Sequence, residues 1–121
     1  MSRVQFVDFK GKKILHEDFS NISNPAEMVS LINEARKIIA AQPAKSVLAV
    51  LDATNSKFNN DVLTAMKEFT KANEPFVKHA CVVGIDGLLQ VALTAISKFS
   101  GRSFKSFASL EDAKEWLVSQ P

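Results

Sequence analysis

The chain has 121 residues, of which 46% are hydrophobic and 23% are charged. These values are typical of one soluble domain spanning residues 1–121, and they exclude an intrinsically disordered chain and a collagen-like repeat. The formal net charge of +2 is too small for the basic surface of a nucleic-acid-binding protein.

The cysteine content and the hydropathy of the chain indicate its cellular compartment. Cys81 is the only cysteine, so no internal disulfide can form, which is typical of intracellular proteins. The N-terminal residues lack the apolar segment of a signal peptide. The longest apolar-rich segment, residues 88–99, is interrupted by polar side chains and is shorter than the roughly 20 residues that span a bilayer. We therefore expect a cytoplasmic protein without a membrane span.

The first 20 residues predict a β-hairpin. Residues 4–7 and 13–16 are rich in β-forming side chains, and Lys10-Gly11-Lys12 lies between them. Gly11 can adopt the positive φ that a tight turn requires.

The clearest predicted helix follows the hairpin. Asn24 is a suitable N-cap, Pro25 suits the first helical position, and Glu27 stands three residues after the cap. The helix ends before Pro43. Its apolar residues recur at helical spacing: Met28, Leu31, Ile32, Ala35, Ile38 and Ile39.

Two short apolar runs, residues 47–51 and 80–83, predict strands that are covered on both faces. Between them lies a second helix, which Asn59 or Asn60 can cap and which stops before Pro75.

Two further helices and one strand complete the chain. Residues 88–99 form a third helix with a wide apolar face, which Gly101 can end. Residues 103–107 can form a last strand, and Ser109 begins the final helix in a capping-box-like pattern. The order ββαβαβαβα predicts an α/β sandwich of about four helices and a mixed, mostly parallel five-stranded sheet that starts with an antiparallel hairpin.

Open α/β sheets bind ligands beyond the carboxyl ends of their parallel strands. Each predicted strand end here runs into a helix N-terminus, whose free N–H groups favour anions. The polar or small residues at these ends are Asp52 with Thr54, Asn55 and Ser56, then Gly84 with Asp86, and finally Ala108 with Ser109.

The two carboxylates each have two interpretations. Asp52 can be an acid, a metal ligand or a phosphoacceptor, but a strand-end Asp more often forms an Asx turn. Asp86 can be a general base, but it also suits the N-cap of the third helix, where its charge repels an anion. The glycines around Asp86 match neither a GxGxxG fingerprint nor a P-loop.

The other chemistry-bearing residues form no catalytic or metal-binding pattern, so we expect no metal and no cofactor. His16 and His79 lie far apart and lack metal-ligand spacing. Cys81 lies within an apolar strand, where a thiol is usually inert packing. Phe58 and Phe76 sit in or beside loops, either as core side chains or as an exposed anchor for a partner.

Three segments resemble a known family: residues 47–54, residues 78–84 and the Phe-x-Ser-x-Glu-x-Ala-x-x-Trp-Leu pattern of residues 107–117. Over nearly the whole chain, the sequence resembles the SpoIIAA-like family of small bacterial STAS/Sec14-type domains. The resemblance implies a mixed sheet covered by helices and frequent dimers. It also implies a relationship to anti-sigma factor antagonists and to the lipid-binding Sec14 lobe.

The phosphoacceptor motif of anti-sigma factor antagonists is not carried over. That motif, Asp-Ser-Ser-Gly, follows the strand that matches residues 47–51, and the corresponding stretch here is Lys57-Phe58-Asn59-Asn60. Phe58 therefore replaces the phosphorylated serine. Thr54 and Ser56 are hydroxyls in the same loop, but neither occupies the motif position.

Three functions are open from the sequence. The first is a non-enzymatic protein-interaction or regulatory module that uses residues 54–61, with an unknown protein partner or a second copy of the chain. The second is a carrier of a small apolar or lipid-like ligand under the third helix, whose apolar face otherwise simply packs on the sheet. The third is an enzyme with a strand-end Asp as general base. The candidate partner or ligand loop comprises Asp52, Thr54, Asn55, Ser56, Phe58, Asn59, Gly84 and Asp86.

Overall fold

A computed structural model describes residues 3–121 of the chain. The predicted element order is confirmed, and strand ends differ from the predicted ones by up to three residues. The elements are β1 (Val4–Phe9), β2 (Lys12–Asp18), α1 (Pro25–Ala40), β3 (Val47–Asp52), α2 (Asn60–Asn73), β4 (Val77–Val83), α3 (Gly87–Ser100), β5 (Lys105–Phe107) and α4 (Leu110–Ser119).

The strands form one five-stranded sheet in the order β1-β2-β3-β4-β5. β1 pairs antiparallel with β2, and every later pair of neighbours is parallel. The hairpin turn consists of Lys10 and Gly11, which both have positive φ, as a two-residue turn between twisted strands requires. The parallel order places the carboxyl ends of β2, β3 and β4 at one edge, called here the carboxyl edge.

The two faces of the sheet are covered differently. On the three-helix face, α2 packs between α1 and α3, and the larger core contains Phe19, Met28 and Ile32. On the α4 face, α4 packs against β3 and β4. The smaller core on that face contains Ile14, Val50, Cys81, Val83, Ala113 and Leu117.

Each helix begins at a polar side chain that accepts a hydrogen bond from an N–H group of the first turn. These N-caps are Asn24, Asn59, Asp86 and Ser109. Of the two predicted caps for α2, Asn59 is the one used. α3 ends at Gly101, whose φ of 71° is the left-handed conformation that favours glycine.

Candidate functional site

The loop after β3 is held by its own polar side chains. The carboxylate of Asp52 accepts hydrogen bonds from the backbone N–H of Thr54 at 3.0 Å and from the Thr54 hydroxyl at 2.6 Å. This arrangement is an Asx turn. Of the interpretations of Asp52, the Asx turn is therefore the one that the structure shows.

The same loop is tied to the segment that follows β2. Asn55 donates to Oδ1 of Asn21 at 3.2 Å, and the N–H of Lys57 donates to the carbonyl of Ile22 at 3.0 Å. Ser56 is only 7% exposed, and its hydroxyl donates to the carbonyl of Phe19. The Ser56 hydroxyl is thus buried and occupied rather than presented to a partner enzyme.

Gly84 brings the end of β4 against this loop. Its φ is +79°, and a Cβ atom at this position would lie 2.7 Å from both the N and the Cα of Thr54. Only glycine permits such a backbone conformation at such a close approach. Thr54 and Gly84, which the sequence places at separate strand ends, are therefore in contact at the carboxyl edge.

A surface groove of about 770 Å³ lies between the loop of residues 55–60 and α3. Asp86, at its α3 side, accepts a hydrogen bond from the N–H of Leu89 at 2.9 Å and so caps the helix. Asp52, Thr54 and Gly84 do not line the groove. The candidate residues that do line it are Asn55, Ser56, Phe58, Asn59 and Asp86.

The α3 wall of the groove is apolar and open to solvent. Leu88 is 86% exposed and Val91 is 71% exposed, although α3 was expected to pack its apolar face on the sheet. Only Leu89 and Ile96 of α3 are buried. The expected wide apolar face is therefore divided between the core and the groove.

A cavity of about 60 Å³ adjoins the groove, enclosed by the sheet, α2 and α3. Phe58, Leu89 and Ala92 line both spaces and form the partition between them. On the sheet side, Ala49 of β3 and Ala80 of β4 line the cavity. Their small side chains leave room above the strands that larger residues would fill.

The carboxyl group of Glu17, on β2, lies in this largely apolar cavity, whose other polar lining residues are Thr70, Asn73 and Arg102. Glu17 is 4% exposed, and within residues 3–121 its buried Oε2 has no hydrogen-bond partner. Burial raises the pKa of Glu17 to about 8, against a smaller opposing effect of the Arg102 charge. The carboxyl group therefore carries its proton at pH 7.

Arg102 is the second charged residue that lines the cavity. Its guanidinium group donates to the carbonyl of Thr70 at 2.7 Å and lies 4.9 Å from the centre of the Phe104 ring. Burial lowers the pKa of Arg102, and the charges of Glu74 and Glu17 raise it. The group is held between the cavity and the surface.

Sequence reasoning did not identify Glu17 or Arg102 as site residues. The sequence contained a signal for the burial of Glu17. Glu17 stands two residues after Leu15 and two residues before Phe19, and both of these apolar residues are fully buried. A period of two puts all three side chains on one face of a strand. No local pattern marks Arg102, which follows the helix terminator Gly101.

The other sequence candidates form no site. Within the described part of the chain, no group of His, Cys, Asp and Glu side chains is arranged to hold a metal ion. The Cys81 thiol is buried, and burial, with the Glu17 charge, raises its pKa to about 12, as expected for an unreactive thiol. Phe58 and Phe76 both pack against the larger core. No helix in residues 3–121 has the length and apolar character needed to cross a membrane.

Comparison with known proteins identifies the fold. The chain is similar to the crystal structure of an uncharacterised protein from the DUF3478 family with a SpoIIAA-like fold, from Shewanella loihica PV-4, with a TM-score of 0.66. The match covers 94% of this chain and 91% of that chain at 18% identity. The chain therefore has a SpoIIAA-like fold, as its sequence resemblance implied, and at this identity the likeness extends to the fold alone. No protein-family model and no curated protein sequence matches it.

Proposed function

We propose that this protein is a non-enzymatic binding protein that takes a small apolar or amphipathic molecule into the cavity between the sheet, α2 and α3. The observation that carries this proposal is the unpartnered carboxyl group of Glu17 inside an apolar cavity. Leaving a buried polar group without a partner costs about 1–3 kcal/mol. Sites for small molecules combine apolar walls with a few polar groups, often ones with shifted pKa values, that orient the ligand.

The size of the cavity bears on how a ligand enters. Its 60 Å³ is less than half of the about 150 Å³ that holds benzene in an apolar protein cavity. A wall must therefore move outward when a ligand binds. Of the two helices that form the cavity walls, α3 is the less firmly anchored, because it buries only Leu89 and Ile96, whereas α2 buries five residues.

Titration of ¹⁵N-labelled protein with 1-hexanol, followed by amide chemical shifts, tests the proposal. We expect saturable shifts around the cavity, at Glu17, Ala80 and Leu93, and none on α4. Ala92→Leu enlarges a side chain in the partition and should abolish binding. Ala95→Leu is the matched control, because Ala95 lies one helical turn away and lines the groove but not the cavity. Hexanol binding that Ala92→Leu leaves unchanged, or the absence of saturable shifts in the wild type, contradicts the proposal.

A second candidate function is a docking module for a protein partner, and the exposed Leu88 and Val91 beside the groove favour it. Contiguous apolar side chains in solvent are typical of interaction surfaces. A phosphorylation switch in this module would use Thr54, because Ser56 is buried.

Quantitative affinity capture from the native host tests the docking module. A specific partner should be lost with the double variant Leu88→Ser and Val91→Ser and kept with Gln90→Ser, which changes an exposed polar residue of the same helix. Equal recovery with both variants would show that this surface does not bind the partner.

A further inference from the structure

The ionisable groups of the cavity determine which kind of ligand it accepts. Among the described residues that line it, the ionisable side chains that face it are Glu17 and Arg102, and α1, α2 and α3 contribute none. The Cys81 thiol lies on the other face of the sheet, 3.9 Å from the carbonyl of Ala113 on α4. The Glu17 carboxyl is protonated at pH 7, because burial raises its pKa to about 8. Arg102 remains charged, since a guanidinium group does not lose its proton in a protein. The cavity therefore carries one net positive charge.

The Glu17 and Arg102 side chains have unused hydrogen-bonding capacity. A guanidinium group has five N–H donors, and the side-chain acceptor recorded for Arg102 is the carbonyl of Thr70. Within residues 3–121, no carboxylate lies close enough to form an ion pair with Arg102. Oε2 of Glu17 is also unpartnered there. Because both side chains line the same 60 Å³, one small head group can reach both.

We propose that the cavity selects a small amphipathic carboxylic acid, bound as its carboxylate, with the head group between Arg102 and Glu17 and the hydrocarbon chain against the apolar walls. This inference rests on the proposed function and narrows it to one class of ligand. Arginine binds carboxylates through two parallel N–H···O bonds, and a protonated carboxyl group adds a charge-assisted O–H···O⁻ bond. The carboxylate also neutralises the net charge of the cavity.

Other head groups fit these residues less well. An ammonium group would place a second positive charge beside Arg102 in a medium of low dielectric constant, where like charges repel strongly. A hydroxyl group would satisfy Glu17 but leave the charge of Arg102 unmatched. An alcohol should therefore bind more weakly than a carboxylate of equal chain length, and an amine more weakly still.

The Glu17 proton makes this selectivity depend on pH. The charged group that faces Glu17 across the cavity is Arg102, from the segment after α3, and α1 and α2 present no ionisable group to the cavity. The Cys81 thiol lies near Glu17 but on the other face of the sheet. Above its pKa of about 8, Glu17 is ionised and repels a bound carboxylate. The affinity for a carboxylate should then fall by up to about tenfold per pH unit, because one proton is coupled to binding.

Competing probes of equal chain length test the assignment. Hexanoate, 1-hexanol and hexylamine are titrated into the wild type, Arg102→Gln and Glu17→Gln at pH 7 and pH 9, with amide chemical shifts as the readout. We expect hexanoate to bind the wild type at least about tenfold more tightly than hexanol at pH 7, which corresponds to about 1.4 kcal/mol. Arg102→Gln should lower the ratio of hexanoate affinity to hexanol affinity to about one. Glu17→Gln should bind hexanoate equally at both pH values, because glutamine has no proton to lose.

Arg36→Gln, a substitution at an exposed position of α1, controls for the loss of one positive charge. If Arg102→Gln fails to fold, Arg102→Lys replaces it, because lysine keeps the charge but not the planar set of N–H donors. Hexanol binding as tight as hexanoate would overturn the carboxylate assignment and leave the binding function standing. A preference for hexylamine would overturn it in favour of a cationic ligand. The absence of binding by all three probes would overturn both proposals.

Discussion

The two faces of the sheet are packed in different ways. On the α4 face, Ala113 and Leu117 are completely buried against Ile14, Val50 and Cys81, and apolar side chains fill the space. On the three-helix face, α3 leaves a cavity beneath it, with the Glu17 carboxyl inside. The same sheet thus carries a filled core on one face and a core with an unfilled, partly polar site on the other.

This difference does not follow from hydropathy. α3 is the longer helix and has more large apolar residues than α4, yet each helix buries only two side chains. The additional apolar residues of α3 line the cavity and the groove or, like Phe99, lie in solvent. α3 thus has more apolar residues than its packing against the rest of the chain uses.

The largest expected effect comes from comparing a leucine-to-alanine substitution on α4 with one on α3. Leu117→Ala should lower the free energy of unfolding by about 3 kcal/mol, because it opens a cavity in a filled core. Leu93→Ala on α3 should lower it by about 1 kcal/mol, because Leu93 is only partly buried and already borders a cavity. Urea unfolding measures both. Equal losses would mean that α3 is packed as tightly as α4.

The next effect concerns Gly84, in the segment that connects β4 to α3. Gly84→Ala should destabilise the protein by about 2 kcal/mol, since a Cβ atom would meet the backbone of Thr54 at a positive φ. Gly87→Ala is the control, because a Cβ atom there meets nothing within 4 Å and its φ is negative. If Gly84→Ala lowered the free energy of unfolding no more than Gly87→Ala does, the backbone at the carboxyl edge would be able to move aside for the added Cβ atom.

A third prediction concerns pH, because, among residues 3–121, only the three-helix face buries a carboxyl group. The pKa of Glu17 is raised from 4.5 to about 8, so the unfolded chain loses this proton at lower pH than the folded protein. The stability from the protonated group is complete below pH 4.5 and is lost as the pH rises to about 8. Its slope is at most about 1.4 kcal/mol per pH unit.

The comparison of wild type with Glu17→Gln isolates this effect. His16, whose pKa is lowered by burial, and Asp18, whose pKa is lowered by its hydrogen bonds to Ser20, titrate in both proteins. Urea midpoints from pH 5 to pH 8 should therefore converge between wild type and Glu17→Gln as the pH falls. A constant difference across this range would mean that Glu17 is ionised in the folded protein.

Most of the fold was predictable because its signals are local. Asn24 and Pro25 determine where α1 begins, and Gly101 ends α3, through the backbone geometry that each residue favours. Residues 47–51 are apolar because helices cover both faces of β3. The strand order β1-β2-β3-β4-β5 was not predicted, because it depends on pairing between segments that lie far apart in the chain.

The site was predictable only where it depends on topology. The rule that ligands bind beyond strand ends placed Asn55, Ser56 and Asp86 in one region, and they line one groove. The burial of Glu17 depends on helices that arrive later in the chain, and Arg102 reaches the cavity from beyond α3. A carboxyl group in strand β2 appears in the sequence as an ordinary polar residue.

The smallest expected effect tests whether the outer surface of α3 is free. Replacing Leu88 and Val91 by serine should change the free energy of unfolding by no more than about 0.5 kcal/mol, because both side chains are in solvent. Leu89→Ser, the neighbouring buried position, should cost about 3 kcal/mol. Thermal unfolding at two protein concentrations measures these changes. A larger loss for the double variant, accompanied by a wild-type melting temperature that rises with concentration, would show that a second copy covers α3.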